Sequence, residues 1–247
     1  MKADPDLKTA MEETARGVHR HSYPDRDALA VALAAGIAAV LAGSVAEKGQ
    51  ATLAVSGGST PRKLFDVLSR TAIEWDRVTV ILVDERIVPA DHERANQRLV
   101  RETLLRDRAA KAHFVAYETS LASPGANAEK SEEIFAGLSW PIDAVVLGMG
   151  TDGHTASFFP GGDRLADALD AEHNSRVLPM QAEGAGETRL TLTLPALLET
   201  KFLALHIEGA EKAAVFDTAL SGSNASEIPV RAVLYQDRTP VHVFWAP

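Results

Sequence analysis

The strongest constraint on what this chain can fold into is a rhythm: short runs rich in Val, Ile and Leu, separated by stretches of helical pattern. ATLAV (51–55), VTVILV (78–83), AHFVAY (112–117), DAVVLGM (143–149), FLALHI (202–207), AVLYQ (232–236) and VHVFW (241–245) read as strands. Helical patterns over 61–70, 93–106, 126–138 and 210–220 lie between several of them. A strand apolar at nearly every position, rather than every second one, needs cover on both faces. The expected fold is therefore α/β: a doubly wound, mainly parallel sheet with helices on both faces, a Rossmann-like three-layer sandwich. TRLTLTLP (188–195) alternates Leu with Thr and Arg and reads as a half-exposed or edge strand stopped by Pro195. No stretch has the composition of an interdomain linker, so the 247 residues are expected to form a single domain over 1–247.

One helical segment has to be weighed against a membrane span. Nothing from Ala28 to Ala46 is charged, and the length suffices to cross a bilayer. About half of it is Ala, however, and charged residues flank it closely, so an Ala-rich helix packed on the sheet is the expectation. The N-terminal stretch MKADPDLKTAMEETARG carries no apolar core of a secretory signal, and the chain has no Cys. Both fit a cytoplasmic protein, and the lack of Cys removes disulfides, thiolate nucleophiles and zinc–thiolate sites. A net charge of −9 argues against nucleic-acid and anionic-membrane partners. An anionic small molecule would need its own local cluster of Lys and Arg.

In an open parallel sheet, ligands bind beyond the carboxyl ends of the strands. Three motifs sit there. SGGSTP (56–61) follows ATLAV. Gly57 and Gly58 allow close backbone approach, Ser59 and Thr60 are good N-cap residues, and Pro61 suits the first helical position. A capped turn would use fewer of these features than are present, and a phosphate on the free N–H groups of the next helix would use them all. DERIVP (84–89) follows VTVILV; Arg86 suits a phosphate or carboxylate, and Asp84 a sugar hydroxyl or a histidine. Taken alone, D-E-R equally describes a solvated turn with a local ion pair.

The third motif is GMGTDGHTASFFP (148–160), which contains the spacing Gly148-x-Gly150-x-x-Gly153 of a dinucleotide fingerprint. The context of such a fingerprint is missing: Phe158-Phe159-Pro160 interrupts the helix that should follow, and no second strand comes at the right distance. What remains is a glycine-rich loop with Asp152 two residues from His154. A carboxylate beside an imidazole fixes its tautomer and raises its basicity, which suits a general base near neutral pH. Gly150 and Gly153 offer backbone N–H groups as oxyanion donors. A fourth segment, GAEKA (209–213), places Lys212 in the first turn of a helix, where a cation opposes the dipole unless an anion binds.

Taken together, SGGSTP, DERIVP, GMGTDGHTASFFP, the RLTLTLPAL run (189–197) and GAEKA resemble the 6-phosphogluconolactonases, which share a superfamily with the glucosamine-6-phosphate deaminases. The resemblance implies hydrolysis of 6-phospho-D-glucono-1,5-lactone to 6-phosphogluconate in the oxidative pentose phosphate pathway, with no cofactor and no metal. It implies His154 as the catalytic histidine, with Asp84 and Asp152 as pocket carboxylates. Gly57, Gly58, Ser59 and Thr60 match the phosphate loop, Arg86 and Lys212 the phosphate-binding cations, and Asn96 and Arg189 further pocket or supporting positions. The expected partner is a sugar-phosphate lactone, with the chain a monomer or weak homo-oligomer. A deaminase-like isomerase is the nearest alternative, but that branch carries a further acid after DGH where this chain reads ASFFP. A non-catalytic sugar-phosphate sensor is the alternative of a different class.

Overall fold

The computed structural model describes residues 10–14 and 17–247, so most of the stretch read for a secretory signal lies outside the described residues. Along the chain run β1 (Ala10–Thr14), β2 (Val18–Ser22), α1 (Arg26–Lys48), β3 (Ala51–Val55), α2 (Arg62–Arg70), β4 (Val78–Leu82), β5 (Asp84–Arg86) and α3 (Asn96–Thr103). Then come β6 (His113–Phe114), α4 (Pro124–Ala136), β7 (Ile142–Leu147), α5 (Leu165–Leu169), β8 (Val177–Met180), β9 (Arg189–Leu192) and α6 (Leu194–Leu198). β10 (Thr200–Glu208), α7 (Ala210–Leu220), α8 (Val230–Leu234) and β11 (Val241–Ala246) complete the chain.

The main sheet has the order β1-β2-β11-β10-β7-β3-β4-β6 and is parallel except for the antiparallel β1–β2 pair. Every residue of β3 and β7 is buried, which requires cover on both faces, as the continuous apolar runs predict. From β3 the chain builds outward through β4 to β6, and from β7 outward the other way through β10 to β11. The direction of winding therefore reverses between β3 and β7. At such a switch point the two connecting loops diverge and leave a crevice at the carboxyl ends of the strands.

The Ala-rich segment is α1. Asp25 caps it, its Oδ1 accepting from the Ala28 N–H at 2.8 Å, and Gly49 ends it in the left-handed conformation. The helix is long and apolar enough to span a bilayer, with mean hydropathy 2.3. Its stripe of Leu29, Leu33, Ile37 and Leu41 is fully buried, and it packs against β3, β7, β10 and β11. Burial of that stripe stabilises the fold by about 1.5–3 kcal/mol per side chain.

Three strand readings need correction. TRLTLTLP gives β9, every residue of which is buried; it is the central strand of a small antiparallel sheet, β5-β9-β8, rather than an edge. The polar positions of the run are satisfied internally: Arg189 lines the cleft, Thr191 Oγ1 accepts from the Ser157 N–H and Thr193 Oγ1 donates to Ser175 O, while Pro195 opens α6. AVLYQ is mostly the end of α8: Val230, Val233 and Leu234 recur at helical spacing, and a short apolar run cannot by itself distinguish the two periods. AHFVAY contributes only the two residues of β6, and the hairpin of β1 and β2 was not read as strand from the sequence.

Candidate active site

The two glycine-rich loops leave the adjacent strands β3 and β7, so the topology sets them side by side. Ser56 joins them: its Oγ donates to Val146 O and accepts from Gly148 N–H, both at 3.0 Å. Asn96, at the start of α3, presses against the first loop and donates from Nδ2 to Asp84 O at 2.9 Å. A Cβ at Gly57 would lie 1.8 Å from the Asn96 Oδ1, so this position has room only for glycine. Ser59 and Thr60 do not cap α2, which begins after Pro61 with no side-chain cap. The Thr60 hydroxyl accepts instead from the Lys212 ammonium at 3.0 Å. Among the described residues, no hydrogen bond engages the N–H groups of Gly57, Gly58, Ser59 and Thr60.

In the second loop the Asp152 Oδ1 accepts the His154 backbone N–H at 3.1 Å and lies 2.6 Å from its Nδ1. Burial raises the Asp152 carboxyl, but its bonds to His154 and the charge of the ring outweigh this and the net displacement is downward. An ionised carboxylate can only accept, so in the neutral imidazole Nδ1 carries the proton and Nε2 the lone pair, the tautomer of a base. The Phe159 ring supports the imidazole at 4.5 Å between centroids. A Cβ at Gly150 would stand 2.2 Å from His154 Nδ1 and 2.6 Å from Asp152 Oδ1; the pair fits because that position is glycine.

Gly150 and Gly153, expected to offer N–H groups to an oxyanion, are bonded within the turn. The Gly150 N–H donates to His154 O at 2.9 Å and the Gly153 N–H to Gly150 O at 3.1 Å, so both are consumed in closing the turn. Gly153 is also held from behind, its carbonyl accepting from the Val230 N–H at the start of α8 at 2.9 Å.

The small sheet supplies the third wall. Arg86 and Arg189 are directly paired across β5 and β9, which sets two guanidinium side chains next to each other. Arg86 donates to Arg94 O, and Arg189 to Ala185 O at 2.9 Å, with its guanidinium 5.2 Å from the Phe159 ring centre. Asp84 is not bonded to His154. It accepts from the Ser157 hydroxyl at 2.7 Å and faces Arg189 at 3.5 Å, so the two carboxylates divide: Asp152 holds the imidazole and Asp84 the arginine. These groups converge on a cleft of about 210 Å³ lined by Gly57, Thr60, Asp84, Arg86, Asn96, His154, Arg189 and Lys212 among others. Its lining of glycine-loop backbone, cations and an imidazole suits a small anionic ligand.

Sequence reasoning missed several residues. Glu85 is 1% exposed and accepts the N–H groups of Arg86, Asn96 and Gln97 at 2.7–2.8 Å, thereby capping α3. Burial pushes its carboxyl up to about 7 against the pull of those three donors. Ser157, which holds Asp84, and His206, which also lines the cleft, carried no spacing signal: one sits in a loop and the other in an apolar strand.

Residues 24–245 match the family model described as glucosamine-6-phosphate isomerases/6-phosphogluconolactonase. A 6-phosphogluconolactonase of Rhizobium meliloti is 48% identical over 227 residues, covering 92% of this chain and 98% of that protein. One from Pseudomonas aeruginosa is 43% identical over 215 residues, covering 87% and 89%. Among solved structures, a 6-phosphogluconolactonase from Shewanella baltica superposes with a TM-score of 0.90 at 40% identity, covering 92% of this chain and 97% of that one.

Proposed function

The chain belongs to the family of glucosamine-6-phosphate isomerases and 6-phosphogluconolactonases, and on that premise we propose that its cleft hydrolyses 6-phosphoglucono-1,5-lactone with His154 as general base. The activity itself, lactone hydrolysis in the pentose phosphate pathway, follows from the extent of its likeness to lactonases along nearly the whole chain. The observation that carries the mechanism is the 2.6 Å contact between Asp152 Oδ1 and His154 Nδ1, which leaves Nε2 free to take a proton.

The substrate's phosphate lies on the N–H groups of Gly57 to Thr60, with Lys212 and Arg86 as its cations. Charge-assisted hydrogen bonds of this kind contribute about 1.5–3 kcal/mol each, enough to select the phosphorylated lactone against the protein's net negative charge. His154 Nε2 takes a proton from water as the oxygen attacks C1, and the imidazolium, steadied by Asp152, returns a proton to the departing ring oxygen. The charge that builds on the carbonyl oxygen falls to Arg189, since Arg189 and His154 share contact with Phe159 while the N–H groups of Gly150 and Gly153 are already bonded. The scheme uses only groups of the chain itself.

Two features support a lactonase over a deaminase. Asp84 is the one carboxylate lining the cleft among the described residues, and it is bonded to Ser157 and Arg189. Phe158 and Phe159, both buried, occupy the stretch after DGH where the deaminase pattern carries its further acid. Lactone hydrolysis needs no proton shuttled between carbons, so one base suffices. We further place the protein in the cytoplasm as a single catalytic domain, monomeric or weakly self-associating, with no nucleic-acid or membrane partner. A core cluster continuous from Val18 to Ala246 and the absence of Cys support that reading.

The test is a paired assay. Loss of the lactone well above its spontaneous rate, abolished in His154→Ala, is the expected result. Release of ammonia from glucosamine 6-phosphate, with the lactone untouched, would overturn it.

A further inference from the structure

His206 lies on β10, two residues before the strand ends, and is 2% exposed in the cleft wall. Its neighbours Leu203, Ala204, Leu205 and Ile207 are all buried and apolar, so a histidine at this place is not what the core asks for. Strand alternation puts Glu208 on the same face, and its Oε1 stands 3.1 Å from His206 Nε2. The other ring nitrogen, Nδ1, is buried with no hydrogen-bond partner among the described residues. Buried polar atoms are nearly always paired, and one that is not, in the wall of a cleft, is an unmet demand for a ligand.

The surroundings say which ligand. Burial raises the Glu208 carboxyl, but its bond to His206 and the charges of His206, Arg26 and Lys212 outweigh this and hold it down. As an ionised acceptor, Glu208 fixes the proton on Nε2 and turns Nδ1 into the atom free to bind. Arg26 Nε lies 3.4 Å from Glu208 Oε2, so the carboxylate is neutralised from two sides rather than left to repel an anion. Lys212 and Thr60, joined to each other, line the same cleft.

We propose that His206 is a further phosphate-binding residue, whose Nδ1 shares one proton with a phosphate oxygen of the substrate, while Glu208 orients the ring through Nε2. The shared proton can arrive on the phosphate monoanion or on the imidazole; the complex is the same, and no other group has to be supplied. This rests on the lactonase reading of the cleft for the identity of the substrate, but the contact itself is with phosphate.

Two conservative substitutions separate the ring nitrogens. His206→Asn keeps an amide near the place of Nδ1 and gives up Glu208; His206→Gln reaches Glu208 and gives up Nδ1. Affinity for inorganic phosphate, by calorimetry, and KM for the phosphorylated lactone are measured on both, beside the wild type. The expected result is about a tenfold or larger loss of phosphate affinity in His206→Gln, a smaller loss in His206→Asn, and KM moving in parallel while kcat changes little. Equal affinities, or the reverse order, overturn the proposal. Should either variant fail to fold, the imidazole ¹⁵N spectrum of the wild type decides: the His206 Nδ1 resonance must move when inorganic phosphate is added, and a resonance that stays in place removes the contact. If the wild type binds phosphate through His206 but does not open the lactone, the substrate assignment falls and this contact stands.

Discussion

At the scale of residues, the site depends on how little room surrounds the imidazole of His154. Phe159 supports one face, Asp152 fixes Nδ1, and Gly150 leaves the space both need. Removing the base, His154→Ala, should lower kcat by about 10²–10⁴ with KM little changed, as followed by lactone consumption. Turnover near the wild-type rate would exclude His154 as the base. Gly150→Ala probes the packing instead. Its methyl group would stand 2.2 Å from Nδ1, so the ring must turn away, and kcat should fall at least tenfold while circular dichroism shows an intact fold. An active Gly150→Ala enzyme would mean that the Asp152–His154 geometry is not what catalysis requires.

At the scale of elements, the supports of the site come from segments whose own sequences look unremarkable. The apolar run 232–236 is mostly the end of α8, whose first N–H, that of Val230, holds the carbonyl of Gly153 beneath the catalytic turn. Glu85 caps α3 from eleven residues away, and so fixes Asn96 against the phosphate loop. Its carboxyl is raised to about 7 in the folded protein from an ordinary value near 4.5, so the contribution to stability is fully present below the lower value and is lost as pH rises through the upper. The wild type should therefore lose up to about 3 kcal/mol from this group between these limits. Glu85→Gln should flatten that part of the profile, as thermal melts at stepped pH would read; parallel profiles for the two proteins would reject the assignment. In α1, Leu33 is fully buried against the sheet, and Leu33→Ala should cost about 2–5 kcal/mol in urea unfolding.

At the scale of the whole molecule, a chain of net charge −9 has gathered Arg86, Arg189 and Lys212 into one cleft at the reversal of its winding order. Lys212 reaches the loop from an element far along the chain to meet Thr60, and burial lowers its ammonium against the raising influence of Glu208 and Glu211. Lys212→Ala should raise KM by about tenfold or more with kcat nearly kept; an unchanged KM would remove it from the phosphate seat. Much of this was legible in the sequence. Val-, Ile- and Leu-rich runs recurring between helical patterns call for a sheet covered on both faces, and DGH after a strand places a carboxylate and an imidazole within reach because two residues span one turn. Those are local consequences of period and spacing. Other features were decided only by the fold, because they join residues distant in sequence. Arg86 meets Arg189 through an antiparallel register, Asp84 serves Ser157 and Arg189 rather than His154, and the N–H groups of Gly150 and Gly153 close their own turn. The sequence by itself determined which chemical groups stand at the strand ends; which of them are free to act and which are already bonded was decided by tertiary structure, since a hydrogen-bonding group's availability depends on every neighbour that packing brings to it.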